Sequence, residues 1–408
     1  MKRSVFSLLL ASVWLLAGCS KDSVELVDVT LKVTLPADEI ITPQTLSGDP
    51  AVGFDVTFTN TSSLDETKVQ TDAQGIAKAQ LEQGVYSISV YGTYKANGKE
   101  MIYQSNVTSQ SISLPTEGNS ITLPEVTPEL ATVSGGWVIK EIYFSGTRTQ
   151  ANKAYYGDQY ITLYNNSDQV LYADGLCISQ TAQYTTGTSE QTYYSQFLPG
   201  AVLADLILQV PGTGKQYPVQ PGECFVVANQ GLDHTKLANS KADMSKADFE
   251  WVDEGTSLDV DVPEVPNMKT LYGYSKTINI FSVQGNRSFF IYQPEGDAEA
   301  FLESAKVTVI MPSGTSKEMF AIPSNTIIDG VQCAFKNGLK FPSVSSSVDL
   351  GFTYVGEVEG DSGSYSGLVV TRKVKEKAAD GRYILQDTNN STNDFLPNQE
   401  PSPYEVKE

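Results

Sequence analysis

The chain has 408 residues and a formal net charge of −20. That acidity leaves no basic patch for a polyphosphate, so nucleic acid is not an expected partner, and it disfavours direct contact with anionic headgroups. A single histidine, His234, excludes any metal or catalytic arrangement that needs two.

Lys2 and Arg3 precede an apolar run from Val5 to Ala17 that only Ser7 and Ser12 interrupt. A short basic start followed by such a run is the pattern of a secretory signal, here residues 1–18. The run is too short to cross about 30 Å of hydrocarbon, which takes roughly 20 apolar residues, and no later segment is long or apolar enough. Leu16-Ala17-Gly18-Cys19 resembles the bacterial lipobox. The resemblance implies cleavage before Cys19 and acylation of its thiol and amine, and more than one acyl chain anchors stably. No Asp follows Cys19 directly, which resembles a signal for passage to the outer membrane, and Asp22 and Glu25 resemble the surface-export tag of Bacteroidota-type lipoproteins. The expected location is therefore the outer membrane, lipid-anchored, on the cell surface or the periplasmic face. Losing Lys2 and Arg3 with the leader takes the charge from −20 to −22 over 390 residues, and residues 19–26 form the tether. Beyond Cys19 the cysteines are Cys177, Cys224 and Cys333. At least one of the three is unpaired, and the choice between one bridge in an oxidising compartment and three buried free thiols stays open.

From residue 27 to 126 the text is short, alternating and rich in Thr, Val, Ile and Tyr, as in Val29-Thr30-Leu31-Lys32-Val33, Phe54-Asp55-Val56-Thr57-Phe58 and Val85-Tyr86-Ser87-Ile88-Ser89-Val90. Alternation with period two between turn residues predicts half-buried strands. Thr71-Asp72-x-x-Gly75, a short strand, and Gly84-x-Tyr86 opening the next strand together resemble the carboxypeptidase regulatory-like domain, a small transthyretin-like β-sandwich. That resemblance implies a structural or docking role. Gly75 and Gly84 are expected to supply backbone angles that other residues resist, with Tyr86 packing across the sandwich.

Residues 127–135, with Thr127-Pro128-Glu129 and Gly135, read as a linker. Beyond it, Val138 to Phe144 and Asp158 to Asn165 predict strands, and Asp174-Gly175-Leu176 a turn. Val219 to Ala228, Ile327-Ile328-Asp329, and finally Arg372, Asp387, Ser391 and Asp394-Phe395 follow in order. This order is similar to the lamin-tail domain, which implies an immunoglobulin-like sandwich over residues 136–408. Three stretches depart from that family and read as long insertions, near 180–214, 234–275 and 296–325; long loops of this kind are usually functional. The predicted class is thus all-β, two tandem β-sandwiches, and the whole arrangement resembles a Bacteroidota lipoprotein family of unknown function.

No run of the chain matches a zinc-protease, nucleophile-elbow, paired-cysteine or phosphate-loop motif. Pro211-Gly212-Thr213-Gly214-Lys215 lacks the spacing of a phosphate loop and reads as a hairpin turn. His234 sits in a polar Gly-Leu-Asp-His-Thr context and is expected as an exposed loop residue. No catalytic residue is assigned, and the chain is not expected to be an enzyme; a hydrolase working through paired carboxylates is the remote alternative. No cofactor is required, though the acidic stretch from Asp248 to Glu264 makes calcium a candidate, with Asp253, Glu254, Asp259 and Asp261 as ligands, against a plain solvated loop. Tyr184, Tyr193, Tyr194, Tyr272 and Tyr274, expected in loops, are the candidate partner-binding residues, since flat rings serve recognition, against the alternative that they cover a sandwich end. The functional expectation is a non-catalytic anchored lipoprotein that binds a ligand or protein, accessory to an outer-membrane transporter. A structural or adhesive surface protein is the alternative.

Overall fold

The computed structural model describes residues 25–36, 48–96, 99–131, 136–187, 191–251, 256, 259–275, 277–336 and 338–407. Residues 1–18, read as a leader, and Cys19 lie outside them. The first sandwich pairs a three-stranded sheet, in the order Ile76–Leu81, Val27–Lys32, Ser120–Thr122, with a five-stranded one. The latter runs Glu66–Gln70, Asp55–Asn60, Gly84–Ala96, Lys99–Ile112, Glu129–Leu130. Alternation decides which residues meet: Val27, Val29 and Leu31 face Val56, Phe58, Ile88 and Val90, all buried. Tyr86 joins this core and its hydroxyl donates to Glu82 O at 3.0 Å.

Of the two glycines expected to need special angles, only one does. Gly75 has φ +71°, and a Cβ there would lie 2.4 Å from Val33 O, while Asp72 Oδ1 accepts from Gln74 N and Ile76 N at 2.9 Å to close the turn. Gly84 is not in the left-handed region; a Cβ would simply meet Asn60 Nδ2 at 2.9 Å.

The stretch read as a linker is partly strand. Glu129–Leu130 pairs antiparallel with Tyr103 and Gln104, at the far end of the long hairpin. The chain thus closes the first sandwich before it starts the second.

The second sandwich packs a six-stranded sheet on a seven-stranded one. The six run Phe249–Glu250, Cys224–Ala228, Tyr160–Asn165, Trp137–Tyr143, Val369–Arg372, Phe395–Gln399. Ile139, Ile142, Ile161 and Leu163 meet Ile178, Leu206, Leu208, Phe289 and Ile291 between the sheets. Both outer faces are also covered. Ala242 and Met244 lie over Tyr143, Tyr160 and Val226 on one side; Leu302, Val344 and Val348 lie over Ile207, Phe290 and Tyr292 on the other.

Strands inside all three insertions correct their reading as long loops. Ala201–Gln209, Lys269–Gly273, Lys306–Ile310 and Ser316–Pro323, all inside those stretches, are four strands of the seven-stranded sheet, with Ala201–Gln209 pairing to Cys177–Thr181 at its centre. A strand buried on both faces loses the apolar-polar alternation, as Val202 to Leu208 shows with only Asp205 polar. Arg287 forms an ion pair with that Asp205. Cys177, Cys224 and Cys333 are free thiols, which settles the open cysteine question in favour of no bridge, and burial pushes Cys177 up to about 12 and Cys224 up to about 11. Among the described residues no helix is long and apolar enough to cross a membrane.

Candidate functional site

Two buried charge clusters organise the second sandwich. A β-bulge between Trp137–Tyr143 and Tyr160–Asn165 pairs Thr162 with Glu141 and Leu163 with Ile139, leaving Lys140 as the extra residue. Lys140 and Glu141 therefore turn toward the same outer face. Glu141 accepts from Tyr160 OH, from Thr371 Oγ1 at 2.8 Å, and from both Ser402 N and Ser402 Oγ at 2.8 Å; Lys140 Nζ lies 3.2 Å from Glu141 Oε2 and also donates to Ser402 O. This ties the C-terminal segment down over the sheet.

The second cluster gathers residues far apart in the chain. The Arg372 guanidinium donates from Nε to Ile139 O at 2.7 Å, pairs with Asp329 across to the other sheet, and reaches Asp387 at 3.3 Å and Asp394 at 3.8 Å. Phe395 stacks beneath it, 4.7 Å from Cζ to the ring centroid. Beside them Asp349 accepts from Gln332 N and Ser391 N, each at 2.7 Å, and from Ser391 Oγ; burial pushes its carboxyl up to about 7 against these bonds. Every group in both clusters is occupied by another part of the chain, so both hold the fold together.

His234 is buried, contrary to the exposed loop position expected of it. Its Nε2 faces Gln230 O at 2.9 Å, which only accepts, so Nε2 carries the proton and Nδ1 accepts from Tyr155 OH at 2.7 Å. Burial holds its pKa below the usual imidazole range. The polar letters around it face the surface while the ring turns inward.

The acidic stretch is occupied in a similar way. Asp253 and Glu254 lie outside the described residues. Asp259 accepts from Val260 N at 3.0 Å and Gln230 Nε2 at 3.2 Å, Asp261 accepts from Asn267 Nδ2 at 2.8 Å, and buried Glu250 accepts from Gly231 N and Val262 N at 2.6 Å each. Among the described residues no three His, Cys, Asp or Glu side chains are grouped to hold a metal ion.

Of the candidate tyrosines, Tyr184 and Tyr274 lie outside helices and strands and the other three lie within elements. Tyr193 and Tyr194 lie in the short helix Thr192–Ser195, their centroids 4.4 Å apart, and Tyr194 OH contacts Met311 Sδ at 3.9 Å. Tyr272 lies in the strand Lys269–Gly273, packs on Phe320 at 5.0 Å and donates to Glu318 O. Tyr184 accepts from Arg287 Nη2 at 2.9 Å, and Arg287 sits over its ring. Tyr274 is the exposed one, its hydroxyl donating to Ile280 O at 3.1 Å. The first four gather around Arg287, where the hydroxyls of Tyr184, Tyr194 and Tyr272 are already engaged and Tyr193 packs on Tyr194, which makes the group a packed cover over the seven-stranded sheet.

A different place retains unused recognition groups: a cleft of about 750 Å³ between the two sandwiches. Its floor is the outer face of the five-stranded sheet, where the same alternation that buries Val56 and Phe58 points Thr57 and Thr59 outward. Register makes a grid of it: Thr57 is paired with Ser89, Ser89 with Asn106, and Thr59 with Ser87. Neighbouring strands are about 4.8 Å apart and outward residues about 6.7 Å apart along a strand. No hydrogen bond among the described residues engages the side chains of Thr57, Thr59, Ser87, Ser89 or Asn106.

The opposite wall comes from the second sandwich. Phe352 presents its half-buried ring there, and its backbone is locked because Phe352 N donates to Thr392 Oγ1 at 3.0 Å while Thr392 Oγ1 donates to Phe352 O at 2.9 Å. Tyr91 contributes a ring from the floor. The walls are clamped by buried Gln104, whose Nε2 donates to Ser346 O at 2.6 Å and Asn389 O at 3.3 Å, and by Glu129 Oε2, which accepts from Ser345 Oγ at 2.9 Å and Ser346 Oγ at 3.2 Å. The charges at the rim are mutually engaged: Lys68 with Glu66 at 3.3 Å, and Asp55 accepting from Gln70 at 2.8 Å. The sequence did not single out this site, because its floor reads as an ordinary solvated strand face and its two walls are about 250 residues apart.

Fold and cleft together define an all-β protein of two packed sandwiches with a polar cleft between them. Residues 220–402 match the family described as a protein of unknown function, DUF4876. The chain is similar to a solved DUF4876 family protein from Bacteroides thetaiotaomicron, at 23% identity, covering 92% of this chain and 96% of that one with a TM-score of 0.57; at that identity the likeness shows the fold. A DUF3823 family protein from Parabacteroides merdae matches at 12% identity over 39% of this chain and 67% of its own, with a TM-score of 0.16, too low for argument. No curated protein matches the chain.

Proposed function

We propose that this is a non-catalytic, lipid-anchored outer-membrane protein that takes a ligand in the cleft between its sandwiches, acting as an accessory partner of an outer-membrane transporter. The observation that carries this reading is the cleft itself: two clamped walls, with unengaged hydroxyl and amide groups and two aromatic rings, within the roughly 300–1,000 Å³ typical of ligand sites. The lipobox-like Leu16 to Cys19 supports the anchor. The resemblance of the two modules to regulatory-like and lamin-tail domains supports a scaffold rather than an enzyme, and so does a lone histidine with both ring nitrogens engaged within the fold.

The test is complementation of a deletion strain. A chain carrying Tyr91→Ala and Phe352→Ala, produced and anchored at wild-type level, is expected to behave like the deletion. If it restores the phenotype fully while Cys19→Ser does not, the protein serves as an anchored spacer or adhesive, and the binding reading is wrong.

A further inference from the structure

We infer that the ligand of the cleft is a neutral carbohydrate chain. The inference rests on the reading of the cleft as the binding site and names the class of molecule that fits it. Hydroxyls and an amide that both donate and accept, spaced in rows by the sheet register, match a partner whose own groups do the same at short intervals. Sugar hydroxyls have that property. A folded protein surface would bring charged or large apolar side chains, for which the floor of the cleft offers neither partners nor pockets.

Charge narrows the choice. Among the described residues the only charged side chains at the cleft are Asp55, Glu66 and Lys68, which sum to −1 and are engaged with one another or with Gln70. In a chain of net charge −20 an anionic glycan or a phosphorylated ligand meets repulsion, and no unpaired cation among the described residues lines the cleft. Tyr91 and Phe352 supply the second half of the recognition. Each ring offers an apolar face to the C–H face of a pyranose, and the Thr392 lock fixes the backbone that carries the Phe352 ring before any ligand arrives, which lowers the ordering cost of binding.

The experiment uses the full-length chain purified in detergent. It is screened on an array of neutral and anionic oligosaccharides, and the neutral chains that bind are titrated calorimetrically at low and high salt. At least one neutral oligosaccharide is expected to bind, with affinity unchanged by salt. Tyr91→Ala and Phe352→Ala should each weaken it about tenfold and Ser89→Ala about fivefold, in variants whose unfolding temperature is unchanged. Binding confined to anionic chains and weakened by salt overturns the inference, as does neutral binding that the three variants leave intact. If no neutral chain binds while the Tyr91/Phe352 variant still fails to complement, the cleft is a binding site for another class of ligand and the carbohydrate assignment alone falls.

Discussion

Replacing Arg372 by Met is expected to lower the unfolding free energy by about 3–5 kcal/mol, the range for breaking a buried charge cluster by removing one member. Among the described residues the guanidinium is the one cation paired with Asp329, Asp387 and Asp394, and it joins the two sheets through Asp329 and Ile139 O. Met fills the volume over Phe395 but leaves the carboxylates buried without a counter-charge. Burial already holds the Asp329 and Asp394 carboxyls above the usual carboxylate range, and losing the guanidinium raises both further. The variant is stabilised by protonation at low pH, and its deficit grows as pH rises through the folded pKa, so the loss should be larger near about pH 8 than near about pH 5. Adding Asp329→Asn to the variant should recover part of the loss, because one stranded carboxylate is gone. Urea titration at the two pH values measures all of this, and a loss under about 1 kcal/mol would show that the cluster is solvated.

Glu141→Ala is the second large effect, also about 3–5 kcal/mol. It strands the ammonium of Lys140, whose side chain is 1% exposed, and it removes the acceptor of Tyr160, Thr371 and Ser402 at once. The C-terminal segment loses its fastening, so carboxypeptidase should trim the variant back past Ser402 while leaving the wild type intact there. The pair Lys140→Met with Glu141→Leu should recover most of the stability, since a buried ion pair replaced whole by apolar groups is often neutral, yet remain open to trimming because the acceptor of Ser402 is still missing. Equal stability of Glu141→Ala and wild type would contradict the account.

How far the sequence revealed this molecule depended on burial. The first sandwich is visible because each strand is buried on one face, and Val27, Val29 and Leu31 alternate with Asp28 and Thr30 accordingly. The second is visible only in part. Arg372, Asp387 and Asp394, picked out by resemblance to the lamin tail, do converge, but Ala201–Gln209 passed for an insertion because a strand covered on both sides carries no alternation. Composition misled at His234 and Glu250, since polar letters in a row read as solvated loop even when backbone N–H and C=O groups inside the fold take them up. The cleft could not be read at all: Thr57 and Ser89 become neighbours only through register, and Phe352 faces them only because Gln104 and Glu129 clamp the modules.

That clamp allows the most direct test of the central claim, that the cleft between the sandwiches is where this protein works. Gln104→Ala with Glu129→Ala removes these four bonds between the walls while leaving in place every side chain that lines the cleft. Complementation of the deletion strain by this variant, at wild-type abundance and with both sandwiches still protected from protease, should fail. Full restoration of the phenotype would contradict the account.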